Sequence, residues 1–374
     1  MKSGSLQPPI SGRAASAEKT AENPRKLQPS LVMPFPGSPE KTRLHFGPNQ
    51  RTSKYLARLC PNTCSPMSQP MNRPPRQTIS YLTRQFREDG LDPDHRLGQN
   101  FLIDLNLLEL IARSAQLSEN DLALEVGTGT GSLTGILAES AGEVVTVELD
   151  QHLHQLAQET LESRENIHFL RMDILKNKNR LNPEVISVLQ DRLAARPGCR
   201  LKLTANLPYN VATPIISNLL LCETIPDTMT VTIQKELADR ICARPSTKDY
   251  GALSVWIQSI CSPEIVRVLS NKVFWPRPKV QSAILHIEHQ PQRRAEIPDI
   301  IFFHQFVRSL FFHRRKFLRS VMISAFKDRL EKPEVDEVLQ SLKLGPDARA
   351  EQLEVEFVKE LCERFRTKLH SKSN

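Results

Sequence analysis

Leu122-Ala123-Leu124-Glu125-Val126-Gly127-Thr128-Gly129-Thr130-Gly131 is the stretch that decides the fold. Residues 122–126, apolar except for one carboxylate, read as a buried strand, and three glycines at alternate positions follow before a helical segment from Ser132 to Ala138. Glycine has no Cβ, so the backbone of such a turn can approach a ligand closely. A strand, a glycine turn and a helix in that order make the carboxyl end of the strand a binding edge.

Working outward, the same short apolar run recurs at Val144 to Glu148, Ile167 to Arg171, Leu201 to Ala205 and Met229 to Ile233, with helical segments between. Upstream, Asp104 is placed to cap a helix whose apolar positions include Leu107, Leu108, Ile111 and Ala115. Alternating strands and helices predict an α/β fold, a doubly wound, Rossmann-like parallel sheet covered on both faces. A polar break from Gln290 to Pro298 precedes a further helical pattern, so residues 76–290 are expected to form the sheet domain and 291–374 a smaller C-terminal helical domain.

Residues 1–75 differ in texture. They hold 11 Lys or Arg against 3 Asp or Glu and so carry the whole net charge of +8, leaving the remainder balanced at 39 basic and 39 acidic side chains. The basic charge therefore says nothing by itself about nucleic acid, and an RNA surface has to come from local clustering. Rich in Pro, Ser and Arg, this tail is expected to be disordered. It suits an organellar transit peptide, a dispensable extension, or a start upstream of the one at Met71. A cytoplasmic protein is expected, or a mitochondrial or plastid one if the tail is a transit peptide. Cys60 and Cys64 are the only closely spaced pair among seven cysteines, without a second pair or a histidine set, so reduced thiols and no metal are expected. No apolar run of eighteen residues occurs, which argues against a membrane span.

Two acids sharpen the glycine turn. Glu125 precedes it on the strand, and Glu148 ends the next strand 21 residues after Gly127, the spacing at which a carboxylate accepts hydrogen bonds from ribose hydroxyls. A dinucleotide fingerprint would place its third glycine at Ser132, whereas here it falls at Gly131. Glu-x-Gly-x-Gly-x-Gly instead resembles the loop of class I S-adenosylmethionine-dependent methyltransferases, which puts S-adenosylmethionine ahead of NAD as the cofactor. Asp173 follows the third strand, where it either accepts from the donor's adenine amine or caps a turn.

Asn206-Leu207-Pro208-Tyr209 follows the fourth strand. Taken with His95-Arg96-Leu97-Gly98-Gln99-Asn100-Phe101-Leu102 upstream and Val273-Phe274-Trp275-Pro276-Arg277-Pro278-Lys279-Val280-Gln281-Ser282 downstream, it resembles the small-subunit ribosomal RNA adenine N6,N6-dimethyltransferase family. The resemblance runs from about Tyr81 to Leu361 and includes Pro346-Asp347-Ala348-Arg349-Ala350-Glu351. It implies that Asn100, Leu102, Gly127, Glu148, Asp173 and Asn206 line the donor pocket. It also implies methylation of two adjacent adenines in a hairpin near the 3′ end of small-subunit rRNA during late ribosome assembly. The partners it implies are that rRNA and the immature small subunit, and a monomer is expected. A related group modifies large-subunit RNA; Leu207 in place of isoleucine and the segment Arg349-Ala350-Glu351 favour the small-subunit branch. A binding-only assembly or organellar transcription factor on the same fold would be favoured by loss of the donor loop or Asn206, and both are intact.

The chemistry asks for these residue types. An exocyclic adenine amine is a poor nucleophile because its lone pair is delocalised into the ring. If the Asn206 side-chain oxygen and the Leu207 or Pro208 carbonyl accept its two N–H groups, the nitrogen can move toward tetrahedral geometry. Pro208 holds the carbonyl direction in advance. Tyr209 can stack on the base and Phe274 can close its other side, although Phe274 and Trp275 ahead of two prolines equally suit apolar plugs under a loop. An activated sulfonium methyl needs positioning for in-line displacement, so no Ser, Cys or His nucleophile is expected.

Beyond residue 300, Val307, Leu310, Phe311, Phe317, Leu318, Val321 and Met322 read as one apolar helical face. Arg308, Arg315 and Arg319 recur at spacings of seven and four, so they are expected on one side with Arg314 and Lys316 beside them. No acid interrupts the stretch from Arg308 to Lys327, which favours phosphate contact over a merely solvated face. The segment between Asp173 and Asn206 is longer than the family pattern, with an extra helix expected around Val185 to Leu193 that contacts RNA or covers the sheet.

Overall fold

The structure is a computed structural model that describes residues 79–88, 93 and 98–373. The basic tail 1–75, with Cys60, Cys64 and Met71, lies outside the described residues, as does His95-Arg96-Leu97.

Helix α1 (Ile79–Glu88) leads to β1 (Phe101–Leu102), α2 (Leu105–Ala115), β2 (Asp121–Val126), α3 (Ser132–Ser140), β3 (Glu143–Glu148), α4 (Gln151–Thr160) and β4 (Ile167–Arg171). A small hairpin, β5 (Leu175–Asn177) and β6 (Arg180–Leu181), precedes α5 (Pro183–Ala195). Then come β7 (Arg200–Asn206), α6 (Ala212–Leu219), β8 (Thr228–Gln234), α7 (Lys235–Ile241), α8 (Ala252–Ile260), β9 (Cys261–Leu269), β10 (Phe274–Trp275) and β11 (Ser282–His289). Five helices finish the chain: α9 (Pro291–Ala295), α10 (Ile300–Phe311), α11 (Leu318–Ala325), α12 (Lys332–Ser341) and α13 (Val355–Ser373).

The main sheet has seven strands in the order β4-β3-β2-β7-β8-β11-β9. Neighbours from β4 to β8 are parallel, and β11 runs antiparallel to both β8 and β9. All five strands expected from apolar runs are present, within one residue at each end. They were readable because strands of a parallel sheet are buried on both faces. In β2, Leu122, Leu124 and Val126 join one apolar cluster while Ala123 joins the other, so the strand feeds a core on each side. Edge strand β9 carries Pro263, tolerable where one side of the strand has no ladder to complete.

Asp104 caps α2 as expected, its Oδ1 accepting from the backbone N–H of Asn106 at 3.0 Å. The extra helix is α5, and its buried Val185 and Leu189 pack into the sheet's core, so it covers the sheet. The same cluster continues without a break into Phe303, Phe306 and Leu310 of α10 and Val358, Leu361 and Phe365 of α13.

One expectation changes in this C-terminal part. Residues 300–325 form two helices, α10 and α11, separated by a turn at 312–317, rather than one continuous helical face. The turn is held from outside: Leu318 N–H donates to the Ala348 carbonyl at 2.8 Å, and the Arg349 guanidinium donates to the Arg315 carbonyl at 3.1 Å while lying over the Phe317 ring. Backbone groups captured in this way are lost to a helical ladder. The spacing of seven and four between Arg308, Arg315 and Arg319 therefore does not place them along one helix.

Candidate active site

The order of strands reverses between β2 and β7, and in open α/β sheets ligands bind at such a reversal, beyond the carboxyl ends of the strands. A cavity of about 250 Å³ lies there. The glycine turn after β2, Glu148 at the end of β3, Asp173 after β4 and the Asn206 turn after β7 all reach its wall.

One wall is built around Glu148. Its Oε2 accepts from the Gly129 N–H at 2.9 Å and its Oε1 from the Asp150 N–H at 3.0 Å, so the carboxylate is oriented by backbone. Burial pushes its carboxyl up in pKa, against those two donors, which favour the charged form. Gly129 can present its N–H because its backbone is left-handed (φ 55°) and a Cβ there would sit 3.2 Å from the Phe101 ring. Behind the turn, Glu125 is fully buried, and its Oε2 accepts from the hydroxyls of Thr134 (2.6 Å) and Thr146 (2.7 Å). Since Thr146 donates to Glu125, the Thr128 hydroxyl donates in turn to Thr146, at 2.6 Å. The network ties the turn to α3 and β3. Burial, with a smaller push from nearby Glu148, raises the Glu125 carboxyl to about 8.

The opposite wall includes the turn at 206–209. Asn206 Nδ2 donates to the Asn100 carbonyl at 2.8 Å, which fixes the amide's orientation because the flipped amide would set two oxygens against each other. Asn206 Oδ1 is consequently turned away from that bond, buried, and without a hydrogen-bond partner among the described residues. Of the two carbonyls considered, that of Pro208 accepts from the Val211 N–H at 3.1 Å, whereas that of Leu207 has no such bond among the described residues. Tyr209 lines the cavity and its hydroxyl meets Ser282 Oγ at 2.5 Å, so the downstream motif fixes the ring's tilt.

Asn100, Gly127, Glu148, Asp173, Asn206, Leu207, Pro208 and Tyr209 are thus brought to one cavity. Asp173 also caps a turn, with Oδ1 accepting from the Leu175 N–H at 2.8 Å, so the turn-capping reading is met on a residue that lines the cavity as well. Leu102 and Phe274 are not on this cavity's wall. In the β1–β10 pair Leu102 faces Phe274 and Phe101 faces Trp275, and alternation along a strand turns the first couple into the core and the second to the other side. Leu102 instead touches a smaller adjoining cavity with Glu125, and Phe274 is 2% exposed. Sequence reasoning missed the Thr128–Thr146–Thr134 support of Glu125 and the Ser282 bond to Tyr209. Threonines at alternate or helical spacing carry no signal of their own, and the partner of Ser282 is 73 residues away.

Among the arginines, Arg314 is an internal brace: it bonds Glu351 at 2.8 Å, the Thr247 carbonyl at 2.9 Å and the Lys248 carbonyl. Arg319 pairs in two-pronged fashion with Asp336 at 2.6 and 2.8 Å. Arg308, Arg315 and Lys316 are exposed and have no ion pair among the described residues.

A parallel sheet of this order, with an acid closing its second parallel strand, a triple-glycine turn and a buried amide after the strand across the reversal, defines a class I S-adenosylmethionine-dependent methyltransferase. A family model described as "Ribosomal RNA adenine dimethylase" matches residues 92–366. The chain belongs to that family, whose members dimethylate adenines of ribosomal RNA. It is 40% identical over 267 residues to ribosomal RNA small subunit methyltransferase A of Listeria monocytogenes serotype 4b, covering 70% of this chain and 88% of that protein. It is 38% identical over 260 residues to the protein of the same name from Caldanaerobacter subterraneus, covering 69% and 92%. Among solved structures, a dimethyladenosine transferase from Plasmodium falciparum superposes with a TM-score of 0.58 at 21% identity (71% of this chain, 97% of that one), which speaks to the fold. The 23S rRNA methyltransferase ErmE gives 0.51 at 25% identity (71% and 99%).

The cavity fits the donor on its own terms. Val126, Val147, Leu149, Leu153, Met172 and Ile174 give it apolar walls suited to an adenine ring, while Glu148 offers acceptors for ribose hydroxyls. Glu148→Gln keeps the shape and loses the charge. We expect the KM for S-adenosylmethionine to rise about 10- to 100-fold, with kcat for methyl transfer little changed; steady-state kinetics at varied donor concentration checks this.

Proposed function

We propose that this chain methylates N6 of two adjacent adenines in a hairpin near the 3′ end of small-subunit rRNA, acting as a monomer on immature small subunits in the cytoplasm. The observation that carries the reading is the buried Asn206 oxygen, without a partner among the described residues, on a residue that lines the same cavity as Glu148. The choice of the small subunit rests on the names of relatives at about 40% identity.

When bound, S-adenosylmethionine supplies an electrophilic methyl on a sulfonium. The chain's own residues position the acceptor. Asn206 Oδ1 and the Leu207 carbonyl take the two amine N–H groups, drawing the nitrogen out of conjugation with the ring. Tyr209, tilted by Ser282, offers a face to a base lifted out of its stack. Phe274 serves through β10, which pairs with β1 and so steadies Asn100, the residue that holds the Asn206 amide.

The RNA surface is assigned to Arg308, Arg315 and Lys316, with Arg314 and Arg319 shaping the turn from which two of them project. Arg315→Ala and Lys316→Ala are each expected to lower the slope of log affinity against log salt by about 1. Arg319→Ala, already committed to Asp336, leaves that slope unchanged. Binding of subunits across a salt series separates the two cases.

The function itself is tested by incubating the protein with methyl-labelled donor and small subunits lacking dimethyladenosine. Primer extension then locates the product, since two methyls on N6 block base pairing. Stops at adjacent adenines near the 3′ end are expected. Label confined to large-subunit RNA, or no label at all, overturns the reading.

A further inference from the structure

Phe312 is 80% exposed, more than any other large apolar side chain described. It stands where α10 gives way to the turn, on an open groove of about 570 Å³ between α10 and α11. Buried Val321 and, beside it, Ala325 line the groove with Arg308, Gln305 and Ser324. The His313 ring packs edge-on to Phe312, with centroids 4.8 Å apart and planes at 78°, which supports the ring on one side. The other nearby exposed aromatic, Phe317, is already covered by the Arg349 guanidinium at 4.9 Å. No carboxylate lines the groove, and Arg308 in it, like Arg315 and Lys316 in the adjoining turn, has no acidic partner among the described residues.

We propose that Phe312 is a stacking platform for one unpaired nucleotide of ribosomal RNA, with Arg308 taking the neighbouring phosphate and Gln305 and Ser324 reaching the base edge. The proposal rests on the reading that rRNA is the substrate, and it adds a binding site away from the methyl-transfer cavity. An exposed aromatic ring among unpaired cations is the combination by which single-stranded RNA is held: the ring takes the base's π-face and the guanidinium takes the backbone. The extent of the apolar surface points the same way. A single open ring matches one base, whereas a protein partner would need a contiguous patch many times larger.

Stacking differs from charge pairing in its response to salt, and that gives the test. In the full chain, Phe312→Ala and Phe312→Leu should raise the KM for unmethylated small subunits about 10-fold, with kcat and donor affinity unchanged. Phe312→Tyr should stay within about 2-fold of wild type, since it keeps the ring. Phe312→Ala should leave the salt slope of binding intact, while Arg308→Ala lowers it by about 1. Phe312→Trp supplies a direct reporter, read against the wild-type background of Trp256 and Trp275. Its added emission should be quenched when subunits bind, as stacking on a base requires.

Three results overturn the site: unchanged KM in Phe312→Ala, full function in Phe312→Leu, or a blue shift without quenching in Phe312→Trp. The last two describe an apolar contact with a ribosomal protein. Failure here is distinguishable from failure of the methylation reading. Wild type that methylates subunits while Phe312→Ala behaves identically sinks only the platform; quenching of the added emission in Phe312→Trp by subunits that receive no methyl sinks only the assigned reaction.

Discussion

Replacing Asn206 by alanine should lower kcat for methyl transfer by about 10²- to 10³-fold, the scale on which removal of one preorganised hydrogen-bonding group slows a reaction. The side chain does two things in the structure. Its nitrogen holds the Asn100 carbonyl, and its oxygen, buried and without a partner among the described residues, is on our proposal the acceptor for an amine N–H. Alanine removes both, but only the second acts on the reacting nitrogen, so the loss falls mainly on kcat and the donor's binding constant changes less. Asn206→Asp separates the two roles: it keeps an acceptor in place and sets a second oxygen against the Asn100 carbonyl. Single-turnover transfer at saturating donor, with donor affinity measured separately, checks both variants. A kcat for Asn206→Ala within a few-fold of wild type would remove the amide from the mechanism.

Glu125 should make stability fall as pH rises. Its carboxyl titrates near the ordinary carboxylate value of 4.5 in the unfolded chain and at about 8 when folded, because burial penalises its charge more than the Thr134 and Thr146 hydroxyls favour it. Below the unfolded value both states hold the proton and this group's contribution is fully present. Between the two values the unfolded chain releases its proton while the native state keeps it, so stability is lost progressively as pH climbs to about 8. Above that both are ionised and the loss is complete, amounting to roughly 4–5 kcal/mol at the upper end. Glu125→Gln, which keeps an acceptor for the two hydroxyls but cannot ionise, should flatten this part of the profile. Denaturant midpoints of both proteins at intervals from pH 5 to pH 9 test it; parallel curves would mean that Glu125 does not titrate in this range.

The parts of this protein that the sequence revealed are those where a residue's meaning is local. A parallel strand announces itself by being apolar throughout, a left-handed turn by its glycines, and a cap by the Asp ahead of an apolar helix. Asn206, Glu148 and Gly127 were legible because each sits at a fixed offset from a strand end, and the sheet brings strand ends together. The C-terminal arginines defeated the same approach. No acid lies between Arg308 and Lys327, yet Arg314 and Arg319 find Glu351 and Asp336, supplied by segments that only tertiary packing brings alongside. Phe274 is a similar case, since the face its ring takes is set by register against Leu102 across the chain. Strand β9 was not marked out because it carries Pro263 and sets Glu264 and Arg267 among its apolar residues, the mixed pattern of a half-exposed edge.

The lone oxygen of Asn206 also bears on how durable the empty enzyme is. A buried acceptor with nothing to accept costs about 1–3 kcal/mol. On the proposed role of Asn206 the substrate amine relieves that cost on arrival, so occupancy should raise the melting temperature beyond what the newly covered surface alone would give. The route to a hardier version of this fold therefore runs through the very position that the proposed chemistry needs. A chain selected for endurance alone would fill the gap, and would melt later and methylate nothing.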